Sequence, residues 1–282
     1  MSRRLKRQLS HGALYLSLIL IAILTLFPLF WGISASLRDD KELYAYVMPF
    51  TVHTMVPIKF TFKSYIELFT KFGFQKPVIN TLFVTGVSIF FGCILNSIAA
   101  FAFAMFDFKF KKPIFALVLL SFMIPFEAIA LPLYQVVDKM KMVNTFQGMI
   151  FPSIASGLVL FLFVQFFKDI PGDLLDAARV DGAHIGQVYM KILMPLSKPI
   201  FITAGLMIFM DQWNSYLWPL LIARSKDIRT IQIALTQFST EHSTAWSALY
   251  AGSMFSALIP LCLFLPLQKY FVQGITSSGV KG

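Results

Sequence analysis

The chain has 282 residues, of which 57% are hydrophobic, 16% aromatic and only 13% charged, with a formal net charge of +10. Soluble domains carry about 25% charged residues, so the composition excludes an ordinary soluble protein and indicates an integral membrane protein. The basic excess does not imply a nucleic-acid partner, because the cations are scattered among apolar runs, and the two cysteines, Cys93 and Cys262, sit inside such runs, which leaves no disulfide framework or metal site.

Residues 1–12 hold Arg3, Arg4, Lys6 and Arg7, hold no acid, and form an N-terminal tail. The apolar run 13–33 is long enough to cross a bilayer, which takes about 20 residues, and too long for a secretory h-region of about 7–15. It reads as an uncleaved first span entered from the cytoplasm. Residues 34–77 form the first outside loop, too long for a simple turn and therefore carrying local structure or meeting a partner. The second span is 80–105; Asn96, Ser97, Ala99 and Ala100 within it suit helix–helix contact in lipid. Lys109, Lys111 and Lys112 form a tight basic loop that belongs inside. The third span, 114–137, is interrupted by Pro125 and Pro132, and a short outside loop with Asp138, Lys139 and Lys141 leads to the fourth span, 148–167.

The polar stretch 168–199 follows. Pro171 and Gly172 break the preceding helix. Asp173 and Asp176 fall near the start of a new one, where acids favour the positive end of the dipole. Asp181-Gly182 is a helix stop, because glycine tolerates the left-handed conformation that ends helices. Ile185, Val188, Tyr189 and Ile192 then recur at helical spacing as one apolar stripe, closed by Pro195 and Pro199. The stretch reads as helix, turn, helix outside the apolar layer. Periodicity leaves two uses open for its hydrophobic face: resting on the membrane surface, or docking a partner.

The fifth span is 201–222, an outside loop 223–248 carries Arg224, Lys226, Arg229 and Glu241, and the sixth span is 249–271 with Pro260 and Pro266. A small, Gly-rich tail, 273–282, ends the chain. Lys and Arg divide almost evenly between the two sides, so orientation rests on the acid-free N-terminal cluster and the lysines at 109–112, which put both termini in the cytoplasm.

No G-x-x-x-x-G-K-[ST] loop is present, so the chain is not itself an ATPase of the usual kind. His11, His53, His184 and His242 lie at or outside span ends and none pairs with another at i, i+4, which gives no support to zinc or general-base chemistry. Acids inside the apolar layer are costly and mark functional candidates. Glu127 follows Pro125 in the third span, and Asp211 in the fifth stands beside Gln212, Trp213 and Asn214, with Trp218-Pro219 a turn further on. These are groups that bind sugars, with aromatic faces against C–H surfaces and polar groups against hydroxyls. Aromatic anchoring at a membrane interface is the competing reading.

One resemblance adds to this. Asp176-Ala177-Ala178, three residues, Gly182, nine residues, then Ile192-Leu193-Met194-Pro195 resembles the EAA loop of ABC importer permeases, which reads Glu-Ala-Ala, three residues, Gly, nine residues, Ile-x-Leu-Pro. Asp176 stands where that family usually has Glu, and Met194 where it usually has Leu; charge and bulk are kept. Trp213-Asn214, Leu217-Trp218-Pro219-Leu220 and the ending from Gly274 through Thr276 and Gly279 are similar to the shorter permease subunit of maltose-type, carbohydrate-uptake ABC importers, and the likeness covers nearly the whole chain. It implies an all-α membrane protein whose transmembrane domain, 13–272, has six spans and a cytoplasmic coupling helix between the fourth and fifth. It implies a non-catalytic permease without cofactors in a bacterial or archaeal cytoplasmic membrane. The partners would be a homologous second permease, two copies of a cytoplasmic ABC ATPase and an extracellular or periplasmic sugar-binding protein. Asp176, Ala177, Ala178, Asp181, Gly182, Ile185, Ile192 and Pro195 would engage the ATPase, the alanines permitting close docking, and the tail at Gly274, Thr276 and Gly279 would reach into the ATPase dimer. A secondary transporter with its own coupling-ion site is the rival; it calls for matching halves with broken helices, and no convincing repeat is visible.

Overall fold

The computed structural model describes residues 3–46, 48–239 and 244–279, with side chains described over 11–270 of these except at 179. His242 and the last three residues of the tail therefore lie outside the described residues, as do the side chains of the N-terminal cations and of Gly274, Thr276 and Gly279.

Among the described residues the regular secondary structure is helical apart from one isolated bridge between Ser239 and Thr244. The elements that matter below are α1 (Arg3–Ser36), α2 (Gln75–Met105), α3 (Lys111–Ser121), α4 (Phe126–Lys139), α5 (Phe146–Ile154), α6 (Gly157–Lys168), α7 (Gly172–Val180), α8 (Ile185–Leu196), α9 (Lys198–Asn214), α10 (Leu217–Ile222) and α11 (Trp246–Gly279). Three described helices are each long and apolar enough to cross a membrane: His11–Ser36 within α1, α2, and Trp246–Tyr270 within α11. Three bent pairs could make further crossings, α3 with α4 (103°), α5 with α6 (40°) and α8 with α9 (79°).

The breaks differ from the sequence expectation in instructive ways. Pro125 does interrupt 114–137, because it N-caps α4 after a loop at Phe122–Ile124; Pro132 stays inside α4 without breaking it. The expected fourth span is broken at Ala155-Ser156, where no proline stands. The expected fifth span, 201–222, stops at Asn214 and resumes as α10. The sixth runs through Pro260, Pro266 and Gly274, so α11 carries the expected tail as helix to Gly279.

The chain divides into two compact units, Met1–Phe74 with Leu235–Ile259, and Gln75–Ala234 with Pro260–Gly282. In the first, α1 meets α11: Trp31 Nε1 donates to the Tyr250 hydroxyl (3.3 Å), and Met254 lies over Gly32. Short helices at Asp40–Ala45, Val52–Met55 and Lys63–Thr70 give the first loop its local structure. Arg38, 1% exposed, ties that loop together by donating to Thr54 O (3.2 Å) and Ser34 Oγ (3.0 Å), with Glu42 nearby; burial lowers its pKa and the Glu42 charge partly offsets this.

In the second unit, α2, α6 and α9 enclose the main core, with Ala100, Phe163, Phe167, Leu193 and Ala204 fully buried. Asn96 shows why a polar residue stands in the middle of α2. Its Nδ2 donates to Gly92 O (2.7 Å) and to Ile154 O (2.8 Å), and its Oδ1 accepts from Ser156 N (3.1 Å). The side chain thus satisfies the backbone groups freed between α5 and α6, which have no water to turn to inside an apolar layer. Ser156 Oγ then caps α6 by accepting from Val159 N (3.4 Å).

Candidate functional site

The stretch 168–199 folds as expected into helix, turn and helix. Asp173 lies in the first turn of α7. The helix ends in a Schellman turn: Gly182 has φ +75°, and Ala183 N donates to Ala178 O (2.9 Å), the long bond of that motif. Asp181 N also donates to Ala177 O (3.0 Å). His184 then caps α8 reciprocally with Gln187, its Nδ1 accepting from Gln187 N (3.3 Å) while Gln187 Oε1 accepts from His184 N (3.1 Å). A capping role for histidine was not legible in the sequence, because the His-x-x-Gln spacing lacks the usual Ser or Thr. The centre of α8, Val188–Leu193, is a π-helical turn, and the chain bends at Ser197, between Pro195 and Pro199.

The apolar stripe does not stay on offer as one face. Val188 is buried against Leu175 and Ala178 of α7, with Ile192, Ala183 and Met105 packed around them. The Tyr189 hydroxyl lies 2.7 Å from the Ser97 hydroxyl, and its ring packs on Phe101 at 5.4 Å. The stripe therefore sews α8 to α2 and α7, and Ala178 faces this interior rather than a partner. The surface left outward carries Asp173, Leu174, Asp176, Ala177, Val180 and Ile185. Val180 is 88% exposed, a large burden of apolar surface for water.

A second feature is a cleft of about 1080 Å³ in the same unit. It brings together Glu127, from the first turn of α4, with Asp211 and Asn214, from the last turn of α9. Gln212 lines it too and donates from Nε2 to Asp211 Oδ2 (3.1 Å), while Asn214 Nδ2 donates to Met210 O (2.8 Å). Trp213 is not part of it: the ring is 1% exposed and stacks on Phe209 with centroids 5.3 Å apart. Its neighbours at 211, 212 and 214 reach the cleft because Trp213 points the other way around the helix. The aromatic wall comes from Tyr216 and from Trp218, whose Nε1 donates to Gly148 O (3.1 Å). Ser121, Thr81 and Thr230 also line it, and sequence reasoning missed them because they arrive from three separate segments with no local pattern.

A model of the binding-protein-dependent transport system inner membrane components matches residues 88–276, a stretch that holds α7, α8 and the cleft acids. The chain belongs to this family. Among relatives of the permease, the arabinooligosaccharides transport system permease protein AraQ of Halalkalibacterium halodurans is 34% identical, the match covering 93% of each chain. The sn-glycerol-3-phosphate transport system permease protein UgpE of Rhizobium meliloti is 30% identical over 97% of this chain and 98% of its own. In fold, the permease is similar to a chain of a bacterial ABC transporter involved in the import of the acidic polysaccharide alginate, with a TM-score of 0.81 at 21% identity, covering 96% of this chain and 99% of that one. Membership in a binding-protein-dependent family favours the importer reading over the ion-driven rival.

Proposed function

We propose that this permease is one of two homologous membrane subunits of an ATP-driven importer that carries a sugar or oligosaccharide across the cytoplasmic membrane by alternating access. Two copies of a cytoplasmic ABC ATPase supply the energy, and an external binding protein delivers the solute. The three long helices and three bent pairs make six crossings, with both termini, the 109–112 lysines and 168–199 in the cytoplasm, and 34–77 and 223–248 outside. In this scheme the permease is the non-catalytic subunit, and the ATPase carries out the hydrolysis.

The observation that carries the reading is the two-sided construction of α7 and α8. Their inner face is fixed to α2 through Val188, Ile192 and the Tyr189–Ser97 contact, while their outer face leaves Val180 and Ile185 uncovered. An ATPase groove that seats the outer face moves α2 with it, which is what a helix-in-groove coupling element requires. Ala177 lets the surfaces approach closely, Asp173 and Asp176 supply charge, Asp181-Gly182 sets the angle between the helices, Ala178 and Ile192 hold the inner packing, and the exposed Pro195 stands just before the bend at Ser197. ATPase closure then favours one of two permease states through its differential contacts. The tail at Gly274, Thr276 and Gly279 extends α11 toward the ATPase dimer in the same scheme.

Reconstitution of the permease pair with its ATPase and binding protein in proteoliposomes tests this. Uptake of arabinotriose or lactose that needs ATP and persists without ion gradients supports it; uptake that follows a proton or sodium gradient without ATP refutes it.

A further inference from the structure

Glu127 and Asp211 are the only charged side chains lining the cleft among the described residues, and no lysine, arginine or histidine faces them there. Neither is in an ion pair among the described residues. Asp211 stands in the last turn of α9, where the helix dipole disfavours an acid, so helix stability does not account for it. The rest of the lining alternates apolar walls, such as Phe126 and Met149, with uncharged hydrogen-bonding groups. One of these is Thr230, 3% exposed, whose Oγ1 finds no hydrogen-bond partner among the described residues. A buried hydroxyl on a cleft wall without a partner in the protein is open to a hydrogen bond from a ligand or a water.

From these observations we infer that the cleft admits neutral sugars and rejects anionic solutes such as phosphorylated polyols and uronates, with Glu127 and Asp211 as the excluding charges and Thr230 as a hydroxyl-binding group. This rests on the reading of the cleft as part of the translocation path. Like charges repel more strongly in a cleft with low-dielectric walls than in water, and such walls focus the field of fixed charges along the route. An uncharged sugar meets only the amide, hydroxyl and aromatic groups that match its hydroxyls and C–H faces. The family resemblance to both an arabinooligosaccharide permease and a glycerol-3-phosphate permease leaves this choice open, and the lining charge decides it for this chain.

The test uses the assembled transporter with Cys93 and Cys262 replaced by alanine and a reporter thiol introduced by Ser215→Cys, or by Ser121→Cys should the first variant assemble poorly; both positions line the cleft. Modification rates are measured with a trimethylammonium and a sulfonate methanethiosulfonate reagent, each normalised to free 2-mercaptoethanol. The expected result is a normalised preference for the cation of about tenfold or more, which collapses toward one in the Glu127→Gln, Asp211→Asn double variant. A normalised ratio near one, or a preference unchanged by the double variant, overturns the inference, as does wild-type uptake of sn-glycerol-3-phosphate equal to that of arabinotriose. Thr230→Val should weaken uptake of arabinotriose at limiting concentration, and unchanged uptake removes Thr230 from the assignment. Full modification of the Ser215→Cys thiol should block ATP-driven uptake; uptake that survives it refutes the path reading, whatever the ratio.

Discussion

Gly182→Val is the substitution that probes the coupling turn most sharply. The backbone at this position has φ +75°, and a Cβ built there meets no atom within 4 Å. Any penalty is therefore backbone strain and not a clash with neighbours. An L-residue in the left-handed region costs about 1–2 kcal/mol, and strained positions of this kind reach about 3 kcal/mol. Valine, branched at Cβ, belongs at the upper end and asparagine, which tolerates this region, at the lower. A cost of about 2–3 kcal/mol to hold the docked geometry corresponds to a loss of about 30- to 150-fold in affinity for the ATPase. Asparagine should lose less than about tenfold, with alanine between. The Schellman bond from Ala183 to Ala178 would break with the turn, but no apolar span is altered, so membrane insertion and pairing with the second permease should survive. Affinity of the purified permease pair for the ATPase, measured across the asparagine, alanine and valine variants, reads this ranking directly. Equal binding and equal uptake across all three would show that the geometry of this turn does not matter to coupling.

Asn96→Ala leaves Ile154 O and Ser156 N without their partners at a buried helix break, and should destabilise the second unit by about 2–4 kcal/mol, read as an earlier unfolding midpoint in detergent. Trp213→Ala removes a buried ring and should cost about 3–5 kcal/mol, appearing as lower protein levels with normal uptake per surviving molecule; poor uptake by normally abundant protein would return Trp213 to the path. Tyr189→Phe deletes the hydroxyl contact with Ser97, worth about 1 kcal/mol. It should lower uptake per ATP hydrolysed without weakening ATPase binding, and Ser97→Ala should reproduce it with no further loss in the double variant.

The helices that read most clearly in the sequence were those in which one local signal settles the matter. Uninterrupted apolar runs located α1, α2 and α11, and Asp181-Gly182 located the turn, because chain length and glycine stereochemistry act on neighbours alone. The break at Ala155-Ser156 was not legible, since Asn96, some sixty positions earlier, supplies the hydrogen bonds that permit it. The stripe from Ile185 to Ile192 had the right period, but period does not say which surface it meets, and α2 with α7 claims most of it. At the cleft, Glu127 and Asp211 stood out in the sequence because a charge in an apolar segment is conspicuous whatever its partners, and the structure brings both to one cleft. Trp213 misled because aromatic character is equally served by a core, and only the helical rotation between Trp213 and Asn214 separates the two.

The most direct test of the account is the position of Val180 in the assembled membrane protein, at the uncovered tip of α7. A Val180→Cys variant, with Cys93 and Cys262 replaced by alanine, is treated in spheroplasts with a membrane-impermeant maleimide and, in membrane vesicles open at the cytoplasmic face, with a short bifunctional crosslinker. The account predicts no labelling from outside and a crosslink from this thiol to the ATPase subunit. Labelling from outside, or accessible thiol on the cytoplasmic face with no crosslink to the ATPase, would contradict the assignment of α7 and α8 as the coupling element.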